Sequence, residues 1–270
     1  MIQLSELRFS FPDRLVLENI SLNLGEEESV AIMGASGSGK TTLGRCLNGL
    51  LLPDSGEVLV DTLSTTKPEN LKEIRRRVGM VFQNPENQMV SVTVEREIAF
   101  GLENLGVETQ RMHEIVDEML HLFGLDHLRL HPPHLLSGGE MQRLALASIF
   151  ALRPKYLVLD ECTSFLDPHT RLRVLKEILQ LQESARNTEQ RFSVIHITHF
   201  PEEALDFQRL IVLDRGNVLF DGRPALVFEN VEILLASGIS VPMAFEVTHY
   251  LRKVSNNKIS LNPSDFLPIE

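Results

Sequence analysis

Residues 34–41 read Gly-Ala-Ser-Gly-Ser-Gly-Lys-Thr: a glycine, four residues, then glycine, lysine and a hydroxyl side chain. Few strings of eight restrict a fold so tightly. The glycines permit torsions that aim successive N–H groups into one concavity, and a helix starting at its end turns its positive pole to the same point. Such a loop needs a strand before it and a helix after it. The apolar run 29–33 supplies the strand, and the pattern from Thr41 to about Leu50 is helical. Pro53, Asp54, Ser55 and Gly56 then break the chain before a short strand at 57–60. This order is that of a nucleotide-binding βαβ unit. Gly34, Ala35, Ser36, Gly37, Ser38 and Gly39 would wrap phosphates, Lys40 would reach the β and γ phosphates, and Thr41, followed by Thr42, would offer its hydroxyl to Mg²⁺. The loop alone gives a nucleotide site and no function.

Composition narrows the setting. The 270 residues suffice for one sizeable α/β domain with an appendage and are too few for two such domains. A net charge of −11 without an offsetting basic stripe argues against nucleic acid as the main ligand. In the densest basic run, Lys72, Arg75, Arg76 and Arg77 read as a solvated helix face, with contact to a phosphate or partner as the alternative. Cys46 and Cys162 form neither a disulfide framework nor a metal-ligand spacing, which fits a reducing cytoplasm. Residues 1–9 alternate like a strand and lack the pattern of a signal peptide. The longest apolar run, 144–152, is about half the length that crosses a bilayer. Any membrane role must therefore come through a partner.

Strands are predicted at 2–9, 16–24, 78–82, 156–159, 192–198, 210–213 and 218–220, and helices at roughly 93–105 and 110–123. The second helix carries Met112, Ile115, Val116, Met119, Leu120 and Phe123 at three-and-four spacing, and Gly124 supplies a left-handed stop. These helices interrupt the strands as an inserted helical subdomain would. After Gly222 comes a tail in which Pro242 opens a helix through Phe245, Tyr250 and Leu251.

Two further strings carry chemistry. The strand 156–159 ends in Asp160 and Glu161, which fit a Mg²⁺-holding carboxylate and a base that polarises attacking water. Acids at a strand end are common in loops, and it is the phosphate loop that favours the catalytic reading. Leu136-Ser137-Gly138-Gly139-Glu140-Met141-Gln142-Arg143 places a helix-capping serine before exposed N–H groups, a second anion site. A plain cap with flexible glycines explains those residues equally well.

That last string resembles the signature motif of ABC ATPases and stands, as theirs does, between the other two. The resemblance covers about residues 2–222. It implies a P-loop NTPase (RecA-like) α/β core with an antiparallel β subdomain, an inserted helical subdomain at about 84–153 and a C-terminal extension, 223–270. It further implies that Gln83 links Mg²⁺ and water to a transmembrane partner, that Asp167 lies in a loop crossing to an opposing subunit, and that His199 senses the γ phosphate. His196 is read as a packing histidine. Phe11 stands where an aromatic residue stacks on adenine. Cys162 and Phe165 depart from the family's usual residues, and both could alter dimer packing.

Residues 82–88, Phe-Gln-Asn-Pro-Glu-Asn-Gln, followed by Thr93-Val94-Glu95 and Ala99-Phe100-Gly101-Leu102-Glu103-Asn104, are similar to the ATPases of energy-coupling factor importers, which take up vitamins or transition-metal ions. The tail, with Val227-Phe228 and Val241-Pro242, resembles the segment that helps such ATPases pair. The resemblance implies an ATPase using ATP and Mg²⁺ at the cytoplasmic face of the cell membrane. It would form a head-to-tail dimer with an identical or paralogous subunit, bound to a transmembrane coupling protein and a membrane substrate-binding protein. The alternatives are the ATPase of another ABC importer and a soluble, nucleotide-gated ABC interaction module.

Overall fold

The computed structural model describes residues 1–186, 188, 190–255 and 262–263. Residues 256–261 and 264–270 of the expected extension lie outside the described residues.

Alternation builds the first layer. Strands β1 (Ile2–Phe11), β2 (Arg14–Leu24), β4 (Ser55–Val60) and β5 (Leu63–Ser64) form an antiparallel sheet in the order β2-β1-β4-β5. Ile2 and Leu4 on β1, Leu22 and Leu24 on β2, and Val58 and Val60 on β4 turn one buried face inward. Irregular pairing after Leu4, with Glu6 at φ +49°, lets β1 bend and run two residues beyond its predicted end at Phe9.

The second layer is a mainly parallel sheet. Its strands β3 (Ser29–Gly34), β6 (Val78–Val81), β7 (Tyr156–Asp160), β8 (Ser193–Ile197), β9 (Arg209–Asp214) and β10 (Asn217–Gly222) lie in the order β10-β9-β3-β8-β7-β6, with only the β9–β10 hairpin antiparallel. The central strands are apolar without alternation because both of their faces are covered. Val30, Ile32, Val158 and Ile197 join the first sheet and α1 (Lys40–Leu47) in one cluster. Ala31, Met33, Leu157 and Leu159 face the other way, toward α5 (Gly138–Ala151) and α6 (Pro168–Ala185).

Helices α3 (Val94–Asn104), α4 (Thr109–Leu122) and α5 gather a third cluster around Ile98, Leu120 and Leu144. Gly124 sits at φ +63° just past α4, as its sequence predicts. The C-terminal helices α7 (Pro224–Phe228), α8 (Val231–Ala236) and α9 (Met243–Val254) share the core of the main sheet through Phe228, Leu234 and Phe245, and Pro242 caps α9.

Two expectations need correction. The helix after the phosphate loop stops at Leu47 rather than about Leu50, because Gly49 turns left-handed at φ +68° and the N–H groups of Leu50 and Leu51 fold back onto the Arg45 carbonyl. The basic run forms α2 (Leu71–Arg77), on which Lys72, Arg75 and Arg76 are exposed. Arg77 is only partly solvated, because it also donates to Glu73 at 2.9 Å and to Asp61 at 2.7 Å. Both cysteines are free and buried, and burial pushes the Cys46 thiol up to about 12. Among the described residues, no helix is long and apolar enough to cross a membrane.

Candidate nucleotide site

The parallel sheet delivers its loops to one edge. Gly34 ends β3, Gln83 follows β6, Asp160 ends β7, and His199 follows β8. Because β3, β8, β7 and β6 are neighbours in that order, residues far apart in sequence converge outside the carboxyl ends of their strands.

The turn from β3 into α1 can be made only with glycine at its tightest points. A Cβ on Gly34 would lie 2.3 Å from the Leu213 carbonyl oxygen. Gly39 caps α1 at φ +106°, a conformation that L side chains rarely adopt, and it packs against Leu17. Lys40 is buried and donates from Nζ to the carbonyls of Gly34 at 2.8 Å and Ala35 at 3.2 Å. Desolvation holds its ammonium below the usual lysine range, against the attraction of Glu161 and Asp160.

Thr41 Oγ1 donates to Asp160 Oδ1 at 3.0 Å. Asp160 is 2% exposed, and burial pushes its carboxyl up, partly offset by that bond. Glu161, at φ +48°, leaves the strand line toward the cleft. Its Oε2 accepts from Gln83 Nε2 at 2.9 Å and lies 3.4 Å from His199 Nδ1.

These groups border a cleft of about 650 Å³. Of the sequence-predicted residues, Phe11, Ser36, Gly37, Gly39, Lys40, Thr41, Thr42, Gln83, Glu161 and His199 line it. Phe11 is 46% exposed at its mouth and meets Phe9 edge-on at 5.1 Å. Ala35 and Ser38 border a hollow of about 400 Å³ on the other side of the loop, beside Arg215 and Gly238. Asp160 lies beneath Thr41. Arg14 was not legible as a site residue: it lines the cleft, and its Nη2 donates to the Gly37 carbonyl at 2.9 Å. Only the tertiary approach of the β1–β2 turn to the loop reveals it.

Ser137, Gly138, Gly139 and Asp167 do not line this cleft. Ser137 caps α5 in a reciprocal box with Glu140, and the Ser137 bonds hold the Glu140 carboxyl below its ordinary range. No neighbour stands near Gly138, so the α5 N-terminus faces outward. Asp167 caps α6, accepting from the N–H groups of His169 and Thr170 at 3.1 Å each. Between these two helix starts, Cys162 is fully buried while Phe165 is 59% exposed. His196 is buried as expected, though it is paired with Glu203 and not merely packed.

A family model described as ABC transporter matches residues 17–164. The energy-coupling factor transporter ATP-binding protein EcfA1 of Clostridioides difficile (strain 630) is 45% identical over 235 residues, 87% of this chain and 83% of its own length. The cobalt import ATP-binding protein CbiO of Syntrophus aciditrophicus (strain SB) is 42% identical over 256 residues, 94% of this chain and 89% of its own. Among solved structures, cbiO1 from Clostridium perfringens, part of the ABC transporter complex cbiONQ, matches with a TM-score of 0.77 at 30% identity, covering 92% of this chain and 98% of that one. The phosphate loop, the carboxylate-tipped strand and these relatives agree, and the chain belongs to the ABC transporter family as an ATP-hydrolysing subunit of the energy-coupling factor type.

Proposed function

We propose that this chain binds MgATP in the cleft and hydrolyses it with Glu161 as the base that polarises attacking water. The observation that carries this reading is the meeting of Gln83, Glu161 and His199 beside the Thr41–Asp160 pair. The N–H groups of residues 34–39 and the Lys40 ammonium take the phosphates, Phe11 stacks on the base, and His199 reads the γ phosphate. The donors of Thr41, Asp160 and the Gln83 amide are hard oxygens, the set that Mg²⁺ accepts alongside phosphate oxygens and water. When bound there, Mg²⁺ neutralises phosphate charge. Gln83, which already holds Glu161, then connects the metal site to the groove around residues 84–88.

Ser137, Gly138, Gly139 and Asp167 serve a second subunit. Their position outside the chain's own cleft, with Ser137, Gly138 and Asp167 exposed, supports a head-to-tail pair in which the α5 N-terminus of one copy covers the nucleotide of the other, and the partner is identical or paralogous. ATP then joins the subunits, and hydrolysis releases them. Residues 1–222 form the nucleotide-binding domain, with its helical subdomain at about 84–153. The extension from 223 assists pairing, a role favoured by the exposure of Met243 and Tyr250 on α9.

In this reading the pair sits at the cytoplasmic face of the cell membrane, attached to a transmembrane coupling protein and, through it, to a membrane protein that binds a vitamin or a transition-metal ion. Cobalt import in the name of one relative favours the metal arm. The test is a mild-detergent pull-down of the tagged chain from native membranes, with mass spectrometry and an ATPase assay of what is recovered. A polytopic coupling protein with a substrate-binding membrane protein is expected. Recovery of soluble partners alone contradicts the importer assignment and leaves the ATP chemistry standing.

A further inference from the structure

Behind the cleft lies a buried carboxylate that does not itself line it. Glu203 belongs to the short turn Pro201–Ala204 after β8, and its side chain is wholly excluded from solvent. A carboxylate so placed is costly unless donors surround it. Here they do. Oε1 accepts from Thr163 Oγ1 at 2.8 Å and faces Arg171 Nε at 3.5 Å. Oε2 accepts from Thr198 Oγ1 at 2.5 Å and from His196 Nε2 at 2.7 Å. A carboxylate only accepts, so His196 donates from Nε2. Burial alone would raise the Glu203 carboxyl; the bonds from His196, Thr198 and Thr163 outweigh it and hold the group below its ordinary range.

The two hydroxyls come from opposite sides of the reacting end. Thr163 stands two residues after Glu161, and Thr198 directly precedes His199. Thr198 Oγ1 also accepts from the Phe200 N–H at 3.0 Å, so both flanks of His199 are tied to one oxygen. Arg171 extends the link: its guanidinium lies 3.4 Å from the centre of the Phe200 ring, and its Nη2 donates to the Leu166 carbonyl at 3.3 Å. One carboxylate is thus shared between the segment leaving Glu161 and the segment carrying His199, which meet in the cleft at 3.4 Å.

We propose that Glu203 is a positioning residue that braces Thr163 and Thr198 on a single carboxylate, fixing Glu161 against His199 and so setting the rate of hydrolysis rather than nucleotide affinity. The proposal rests on the catalytic reading of Glu161. The β7–β8 ladder ends at Asp160 and Ile197, and the Glu203 carboxylate acts on the two loops beyond it.

The test uses the purified transporter complex with ATP and measures kcat, KM and melting temperature for Thr163→Val, Thr198→Val, the double variant, Glu203→Leu and Glu203→Gln. Valine keeps the shape of threonine and removes the hydroxyl. Each valine variant is expected to lower kcat about tenfold with KM within about twofold. The double variant should be no slower than the slower single, because either cut frees the same brace. Glu203→Gln still accepts from His196 and Thr198 and can donate to Thr163, so it should recover most of the rate lost in Glu203→Leu. Unchanged kcat in both valine variants, or losses that multiply in the double, overturns the proposal even if melting temperatures fall. ATP turnover by the wild-type complex, and its loss in Glu161→Gln, establish the underlying site separately, so such a result counts against Glu203 alone.

Discussion

Gln83 Nε2 donates to Glu161 Oε2 at 2.9 Å although the two residues are 78 positions apart. The bond joins the ends of β6 and β7, which are adjacent in the sheet, and it orients the carboxylate without adding charge. Gln83→Ala removes that hold and leaves the phosphate loop intact. Steady-state kinetics of the complex should show kcat falling about tenfold, with nucleotide affinity within about threefold of wild type.

Lys40 acts on binding. Its largely buried ammonium, held below the usual lysine range by desolvation, stands at the wall of the cleft as a charged donor. Lys40→Met keeps most of the unbranched stem and removes the charge. Titration with a fluorescent ATP analogue should show affinity reduced about 10- to 100-fold, the range expected for loss of a charge-assisted bond of about 1.5–3 kcal/mol.

The loop glycines should not be equivalent. A methyl group at Gly37 meets only the flexible end of Arg14 at 3.2 Å, so Gly37→Ala carries mainly the left-handed penalty of φ +77°, about 1–2 kcal/mol. At Gly34 the same methyl meets the Leu213 backbone oxygen at 2.3 Å, and a strand must move. Gly34→Ala should therefore cost more than about 3 kcal/mol, a ranking that urea denaturation of the two variants checks.

Acid stability depends on Asp61. Burial acts to raise its carboxyl, but bonds from Lys155, Tyr156 and Arg77 prevail and hold it far below the usual carboxylate range. The native carboxylate therefore binds protons less readily than the unfolded one, whose pKa is about 3.9. The stability it lends is fully present above that value and is lost as pH falls toward the depressed native one. Urea denaturation between pH 5 and about pH 2.5 should show a shallower decline for Asp61→Asn than for wild type.

Much of this was legible in the sequence, for identifiable reasons. The phosphate loop, the apolar strands and Gly124 carry local signals that tertiary structure does not override. The 18-residue helix α6 went unread although Asp167 and Pro168 announce its start: its buried stripe is only Val174, Leu175, Ile178 and Gln182, and the last of these is polar. Arg14 and Glu203 were illegible for another reason. A charged residue in a turn looks solvated, and only the approach of a second segment turns it into a contact. Arg77 is partly of this kind: Glu73 lies on its own helix, but its other carboxylate partner, Asp61, comes from a different element.

The catalytic role of Glu161 is measured most directly by ATP turnover and nucleotide retention in the Glu161→Gln complex. Glutamine keeps the shape and the contact with Gln83 but is no base at neutral pH. Turnover should fall about 10²- to 10⁴-fold while ATP binding persists and the ATP-joined pair lives longer. Hydrolysis at the wild-type rate would contradict the assignment of the base and the mechanism built on it.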